Sequence, residues 1–226
     1  MTTVAEHIAE VRARLDDQVE PYLWADSEIL RALNQALREF GLRQPVLDDS
    51  TWLDIPITPH EYRYEYDPHI LYVERVLLNG DDVPKVRLTQ FMPDSDQWCY
   101  AEQWQARELL LSPTPSGGAL SLVAYRIPRC NYTTDNMDVA INDPDPLLYH
   151  EAIQTGVMAY LYTKHDADTF GVDDQHRYRE LFNQMVGHPL TARQIEARRE
   201  NTNLRLYYRG TPYTERVKHP RRYRHG

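Results

Sequence analysis

Residues 22–41, YLWADSEILRALNQALREFG, constrain this chain more than any other stretch. Ile29, Leu30, Leu33, Leu37 and Phe40 recur at helical spacing and form one apolar stripe. Asp26 stands just before the stripe, where a carboxylate can accept a hydrogen bond from a free backbone N–H of the first turn. Glu28 adds negative charge near the positive helix end. Gly41 follows the last periodic residue and suits a left-handed stop. A helix this short is not stable alone. The rest of the chain must therefore cover its stripe.

Residues 3–15 predict a first helix. Thr3 and Glu6 have capping-box spacing, and Val4, Ile8, Val11 and Leu15 make a seam. The two helices are expected to form an antiparallel pair. From Trp52 the period changes. Residues 61–66, EYRYEY, alternate as a strand does, and residues 70–78 are rich in β-branched and apolar side chains. Asn79-Gly80-Asp81-Asp82 predicts a turn, with residues 83–88 returning as a hairpin. Residues 98–104 are a weaker strand candidate. Residues 107–111 and 119–127 flank Pro113-Thr114-Pro115-Ser116-Gly117-Gly118, which predicts a second hairpin. Five to seven short strands are expected between residues 50 and 129.

Helical periodicity then returns. Asp145-Pro146 reads as a cap followed by proline at the first helical position. Leu147, Leu148, Ala152, Ile153, Val157, Tyr160 and Leu161 follow, with Ala152, Gly156 and Ala159 as a small-residue face that lets another helix come close. Asp173 opens a further helix carrying Tyr178, Leu181, Phe182, Met185 and Val186, stopped by Gly187 and Pro189. Residues 191–201 read as a last, mostly polar helix. The order is helices, strands, helices. The economical solution is an α+β fold in which a helical bundle (residues 1–49 and 130–203) is interrupted by an inserted β subdomain (residues 50–129).

An extended basic arm, residues 204–226, completes the chain. Arg205, Arg209, Arg216, Lys218, Arg221, Arg222 and Arg224 face Glu215 alone, seven minus one or +6, so the net −9 of the chain leaves −15 for residues 1–203. Tyr207, Tyr208, Tyr213 and Tyr223 are interleaved with them. Arginine and tyrosine together can grip phosphates and stack on bases. They can equally pack into an acidic groove of another protein, or stay solvated. The acidic body argues against nucleic acid as the main partner.

Catalytic and metal signatures are weak. His150-Glu151 has the start of a zinc-protease helix, but position 154 is Gln where the second histidine must stand. A surface or packing role is expected there, with no metal and no cofactor. Residues 166–171 begin like a calcium loop, yet position 170 is Phe and position 177 is Arg rather than oxygen ligands. Asn142-Asp143-Pro144-Asp145 reads as turn and cap chemistry. There is no glycine-rich phosphate loop and no G-x-S-x-G turn. Cys99 and Cys130 are too few for a disulfide framework and read as buried or half-buried thiols. No run of about 18 apolar residues suggests a membrane span, and the charged first residues lack a signal-peptide core.

The capped first helix, the P-Y-L-W-A-D-S-E-I-L entry at residues 21–30 and the A-L-N-Q-A-L-R-E-F run at residues 32–40 resemble the N-terminal region of bacteriophage head–tail connector proteins. These are also called adaptors, head-completion proteins or, in short-tailed phages, tail tubular protein A. The order of elements is similar over most of residues 3–187. The resemblance implies a structural virion protein and not an enzyme. It implies a ring, usually of about twelve subunits, assembled in the host cytoplasm and docked under the portal protein. The ring would extend the DNA channel and offer a platform for tail or nozzle proteins. It further implies that the C-terminal segment reaches onto the portal, a task that suits the +6 arm. The runner-up is a nucleic-acid-binding protein that uses the arm.

Overall fold

Thr3 begins the first helix as its spacing predicts. In the computed structural model the Thr3 side chain accepts from the Glu6 N–H at 3.2 Å, and Glu6 Oε2 accepts from the Thr3 N–H at 2.8 Å. The structure describes residues 3–93, 95–141, 143, 146–163, 172–189, 191 and 193–194. Helix α1 spans Val4–Arg14, with Val4, Ile8 and Val11 buried, and α2 spans Asp26–Arg43. All five stripe residues of α2 are buried.

Both expected ends of α2 differ in detail. The capping carboxylate is Glu28, which accepts from the Ala25 N–H at 2.9 Å. Asp26 lies within the first turn and turns instead to Arg12, at 2.6 Å. Gly41 does not stop the helix. It lies inside it because Pro128 and Ile127 cross there: a Cβ on Gly41 would collide with the Pro128 ring and sit 2.9 Å from the Ile127 Cα. Close approach, not a left-handed turn, requires glycine here.

The strands follow. Strand β1 is Val46–Asp48, β2 is Ile55–Pro56, β3 is Arg63–Glu65 and β4 is Ile70–Leu78. Strand β5 is Asp81–Val83, β6 is Cys99–Gln103, β7 is Glu108–Ser112 and β8 is Ala119–Arg126. They form two antiparallel sheets. The larger runs β1-β8-β4-β5, with β2 also on β8, and the smaller runs β3-β7-β6. Strand β8 alternates as a half-buried strand should, with Leu120, Leu122, Ala124 and Arg126 inward.

Two hairpin expectations are corrected. The turn at Asn79-Gly80 forms, but the return strand ends at Val83, because Pro84 has no N–H for the ladder. The chain crosses instead to the other sheet, where the Tyr100 N–H donates to the Pro84 carbonyl at 2.9 Å. Strands β7 and β8 do not pair with each other. Strand β7 instead takes β3 and β6 as its ladder neighbours, with Leu109, Leu110 and Leu111 buried on its two faces. Residues 113–118 hand the chain from one sheet to the other. Of the EYRYEY alternation only Arg63–Glu65 is strand, though Tyr64 and Tyr66 are buried as expected.

Helix α3 spans Pro146–Leu161 and α4 spans Val172–Val186. Gly187, in the left-handed region at φ 91°, ends α4, its N–H donating to the Asn183 carbonyl at 2.8 Å. The small-residue face of α3 does what its composition predicts. A Cβ on Gly156 would sit 2.9 Å from the Phe182 ring and 3.1 Å from Ala36 Cβ, so α2, α3 and α4 meet there. Met185 departs from the expected stripe and is 49% exposed. Helix α1 is not simply the antiparallel mate of α2. It is tied to both α2 and α3 by side-chain contacts.

The buried apolar side chains fall into two clusters. One gathers residues 4–40 with residues 132–186, and the other lies within residues 53–124. The sheet also takes in Val46–Asp48, just before residue 50. The fold is α+β. Asp145, the 166–171 loop and most of the 191–201 segment lie outside the described residues.

Candidate functional site

All eleven residues singled out in the arm, from Arg205 to Arg224, lie outside the described residues. What the described residues display is a set of buried charged joints between elements. Arg12 is the first. Its guanidinium reaches Asp17 at 2.8 Å, the Trp24 carbonyl at 2.8 Å and Asp26 at 2.6 Å, and it lies over the Tyr22 ring. Asp17 in turn accepts from the Leu23 and Trp24 N–H groups. This fixes the connection between α1 and α2.

Glu39 is the hub of the second joint. It pairs with Arg43 on its own helix, accepts from the Tyr160 hydroxyl of α3, and accepts from Arg179 of α4 at 2.7 Å. Burial alone would raise its carboxyl, but the hydrogen bonds from Tyr160 and Arg179 outweigh that and hold it below the usual range. Arg43 also donates to Asn183 at 2.8 Å and to the Gly187 carbonyl at 2.6 Å. Three helices are locked through one carboxylate.

Arg126 makes the third joint. It pairs with Asp48 of β1 and with Asp143, so the sheet is bound to the segment leading into α3. Asp143 is thus an ion-pair partner, beyond the turn role its sequence context suggests. Burial opposes ionisation of Asp48, yet bonds from Ser50, Arg126 and Trp52 bring its carboxyl well below the usual range. Lys85 makes the fourth joint, reaching Glu102 at 2.6 Å. Both side chains are about nine-tenths buried, at 10% and 9% exposure.

A fifth cluster lies between α1 and α3. Arg14 grips Glu151 through both carboxylate oxygens, at 2.8 and 2.6 Å. His150 Nε2 is 2.6 Å from Glu10 Oε2. Gln154 Nε2 is 3.2 Å from His7 Nδ1 and 2.9 Å from Glu10 Oε2. His7 is 2% exposed; burial, then the nearby charges of His150 and Arg14, lowers its pKa to about 3. The His150 ring also packs edge-on against His7 of α1, with ring centroids 5.8 Å apart.

None of these joints is a motif, because each needs at least one partner from a distant part of the chain or from outside its own element. Two left a faint signal. Arg43 continues the Leu37–Phe40 spacing of the buried stripe, and His7 falls on the Val4–Val11 seam. A polar residue on an apolar stripe is a sign that a buried partner exists.

Exposed apolar side chains include Val19, Tyr22 and Leu23 in the α1–α2 connection, and Met92 and Trp98 before β6. An open cleft of about 430 Å³ runs along α2 and is lined by Arg31, Asn34, Arg38, His69, Cys130 and Tyr132. Asn34 pairs there with both the N–H and the carbonyl of Tyr132. Cys99 and Cys130 are free and half-buried, as the sequence suggests.

The geometry is that of a jointed scaffold. Comparison with protein families matches residues 2–207 to the SU10 adaptor protein family. The chain belongs to the SU10 adaptor protein family. This is a family of phage head–tail adaptors, structural rather than enzymatic, and membership makes the protein a virion component. Comparison with curated proteins returns no match. Among the described residues, no helix of this adaptor is long and apolar enough to cross a membrane. The match ends at residue 207, so it takes in only the first residues of the basic arm.

Proposed function

We propose that this adaptor forms a ring under the portal, extends the DNA channel and presents the platform for the tail. The observation that carries the reading is the family match over residues 2–207. The charged joints support it. A connector must hold its faces in fixed relation while neighbours load them, and joints between helices and sheets resist such rearrangement better than apolar packing alone. The division into a helical bundle (residues 1–49 and 130–203) and an inserted β subdomain (residues 50–129) belongs to the same proposal. The two apolar clusters support it.

The arm, residues 204–226, is the portal-binding element in this reading. Its charge of +6 against a body of −15 gives it reason to reach for an acidic partner. The −15 body suits a channel lining from which DNA is repelled. The test is co-sedimentation of the full chain and of a chain lacking residues 204–226 with portal rings, at two salt concentrations. The full chain should bind, and more weakly at high salt. The truncated chain should not bind. Undiminished binding by the truncated chain would move the portal contact to the folded body. A gel shift on double-stranded DNA that depends on the arm would favour the nucleic-acid reading, for which the interleaved arginines and tyrosines are the supporting feature.

A further inference from the structure

The contact between α1 and α3 has a chemistry that the adaptor role does not use. His7 and Glu10 are three apart on α1, so they share a face. His150 projects from α3, which returns after the whole β region. One ring nitrogen from each histidine and one Glu10 oxygen all lie within 4.8 Å of one another. We propose that His7, Glu10 and His150 form a binding site for a transition-metal dication of the zinc class, which staples α1 to α3.

Three features carry this. The donor set is two imidazoles and one carboxylate, which suits Zn²⁺, Co²⁺ or Ni²⁺ and not Mg²⁺ or Ca²⁺. Bonds of about 2.0–2.2 Å bring tetrahedral ligand atoms to roughly 3.3 Å of one another. A set spanning 4.8 Å closes to that by small side-chain rotations.

The second feature is an unmet demand for partners. Among the described residues, His7 Nε2 and Gln154 Oε1 are buried with no hydrogen-bond partner, in side chains 2% and 0% exposed. Protein interiors seldom leave such atoms unpaired. If Gln154 Nε2 donates to His7 Nδ1, the remaining nitrogen carries the proton with nothing to receive it. A metal on His7 Nε2 answers that ring nitrogen directly; turning the Gln154 amide over then lets the other ring nitrogen donate to its carbonyl oxygen, in exchange for the Gln154 bond to Glu10.

The third feature is charge. Arg14, the neighbouring cation, is already held by both oxygens of Glu151. Glu10, with its side chain 50% exposed, opens the cluster to entering ions.

The test uses the full chain, stripped with chelator and titrated with ZnCl₂ by calorimetry, with CoCl₂ absorption as a second probe. One ion should bind per chain. At about one hundred times Kd the Tm should rise by roughly 5–10 °C. Cobalt should give the visible bands of a low-coordinate site containing nitrogen donors. His7 substitutions risk the fold, so His150→Ala and Glu10→Gln carry the test: each should fold, bind at least tenfold more weakly and lose the Tm rise. Gln154→Leu should weaken binding about tenfold, as loss of an orienting partner does. Absence of saturable binding to the full chain overturns the proposal. So does binding of equal strength in both His150→Ala and Glu10→Gln, which would assign the ion to the other histidines.

Discussion

The helical part and the sheets are held together in different ways. In the sheets the range of pairing is mixed: β4 pairs with β5 across a tight turn and β6 with β7, while β8 reaches back to β4, β2 and, at Val46 and Arg126, to β1. In the helical part, α1 and α2 meet α3 and α4 across the whole β region. Their ties are correspondingly distant, from Arg14 to Glu151 and from Arg43 to Asn183. Local pairing closes loops cheaply in entropy, while distant pairing must overcome a larger closure term. The helical part compensates with a dense apolar core and with charges shared among three helices. The comparison teaches that the longest-range ties described in this adaptor, those from α1 and α2 to α3 and α4, are made by charged side chains.

The sharpest way to break the helical part is through its core. Leu33→Ala, at a site 0% exposed, should cost roughly 2–5 kcal/mol. Leu42→Ala on the same helix, at 43% exposure, should change stability by less than about 0.5 kcal/mol. Thermal or urea melting of the pair checks this, and equal losses would mean that the stripe is misplaced.

Glu39→Gln comes next. It leaves Arg43 and Arg179 without their shared carboxylate, at a cost of about 2–3 kcal/mol, reduced from the fully buried case because Glu39 is 20% exposed. The pH dependence follows from the lowered carboxyl of Glu39. The unfolded chain binds this proton more readily than the folded one. The stabilisation is therefore present above the unfolded value of 4.5 and is lost as pH falls through the lower folded value. Melting curves of the wild type between pH 6 and pH 3 should steepen where those of Glu39→Gln stay flatter.

In the sheets the matching experiment is Lys85→Met, which leaves Glu102, at 9% exposure, without its cation and with the Tyr66 hydroxyl and the Val73 N–H as its donors. A loss of about 1–3 kcal/mol is expected. Hydrogen exchange should quicken first in β6, with α2 and α3 following only at global unfolding. Simultaneous quickening of the helices would show the two regions to be one cooperative unit. Gly156→Ala sharpens the opposite side. Its methyl would press on Phe182, and about 1 kcal/mol of overpacking is expected, read by melting. The smallest effect belongs to Met185→Gln, within about 0.5 kcal/mol of wild type, because the exposed Met185 side chain contributes little to the core.

What the sequence by itself determined is local. The capping box at Thr3, the stripe of α2, the strands at Ile70–Leu78 and Ala119–Arg126, and the close-packing face of α3 all follow from period and cap chemistry. These depend on residues a few positions apart, and a periodic face is buried whichever element covers it. What only the tertiary structure decided is which faces meet. Gly41 reads as a stop until Pro128 is seen crossing it. Asp26 reads as a cap until Arg12 claims it. The glycine- and proline-rich link at residues 113–118 reads as a hairpin, yet it separates two sheets, because both edges of β7 are taken by β3 and β6. His150 has no second histidine one turn along its own helix, while the His7 ring of α1 meets it edge-on. In each case the deciding contact is non-local, and no spacing within one element encodes it.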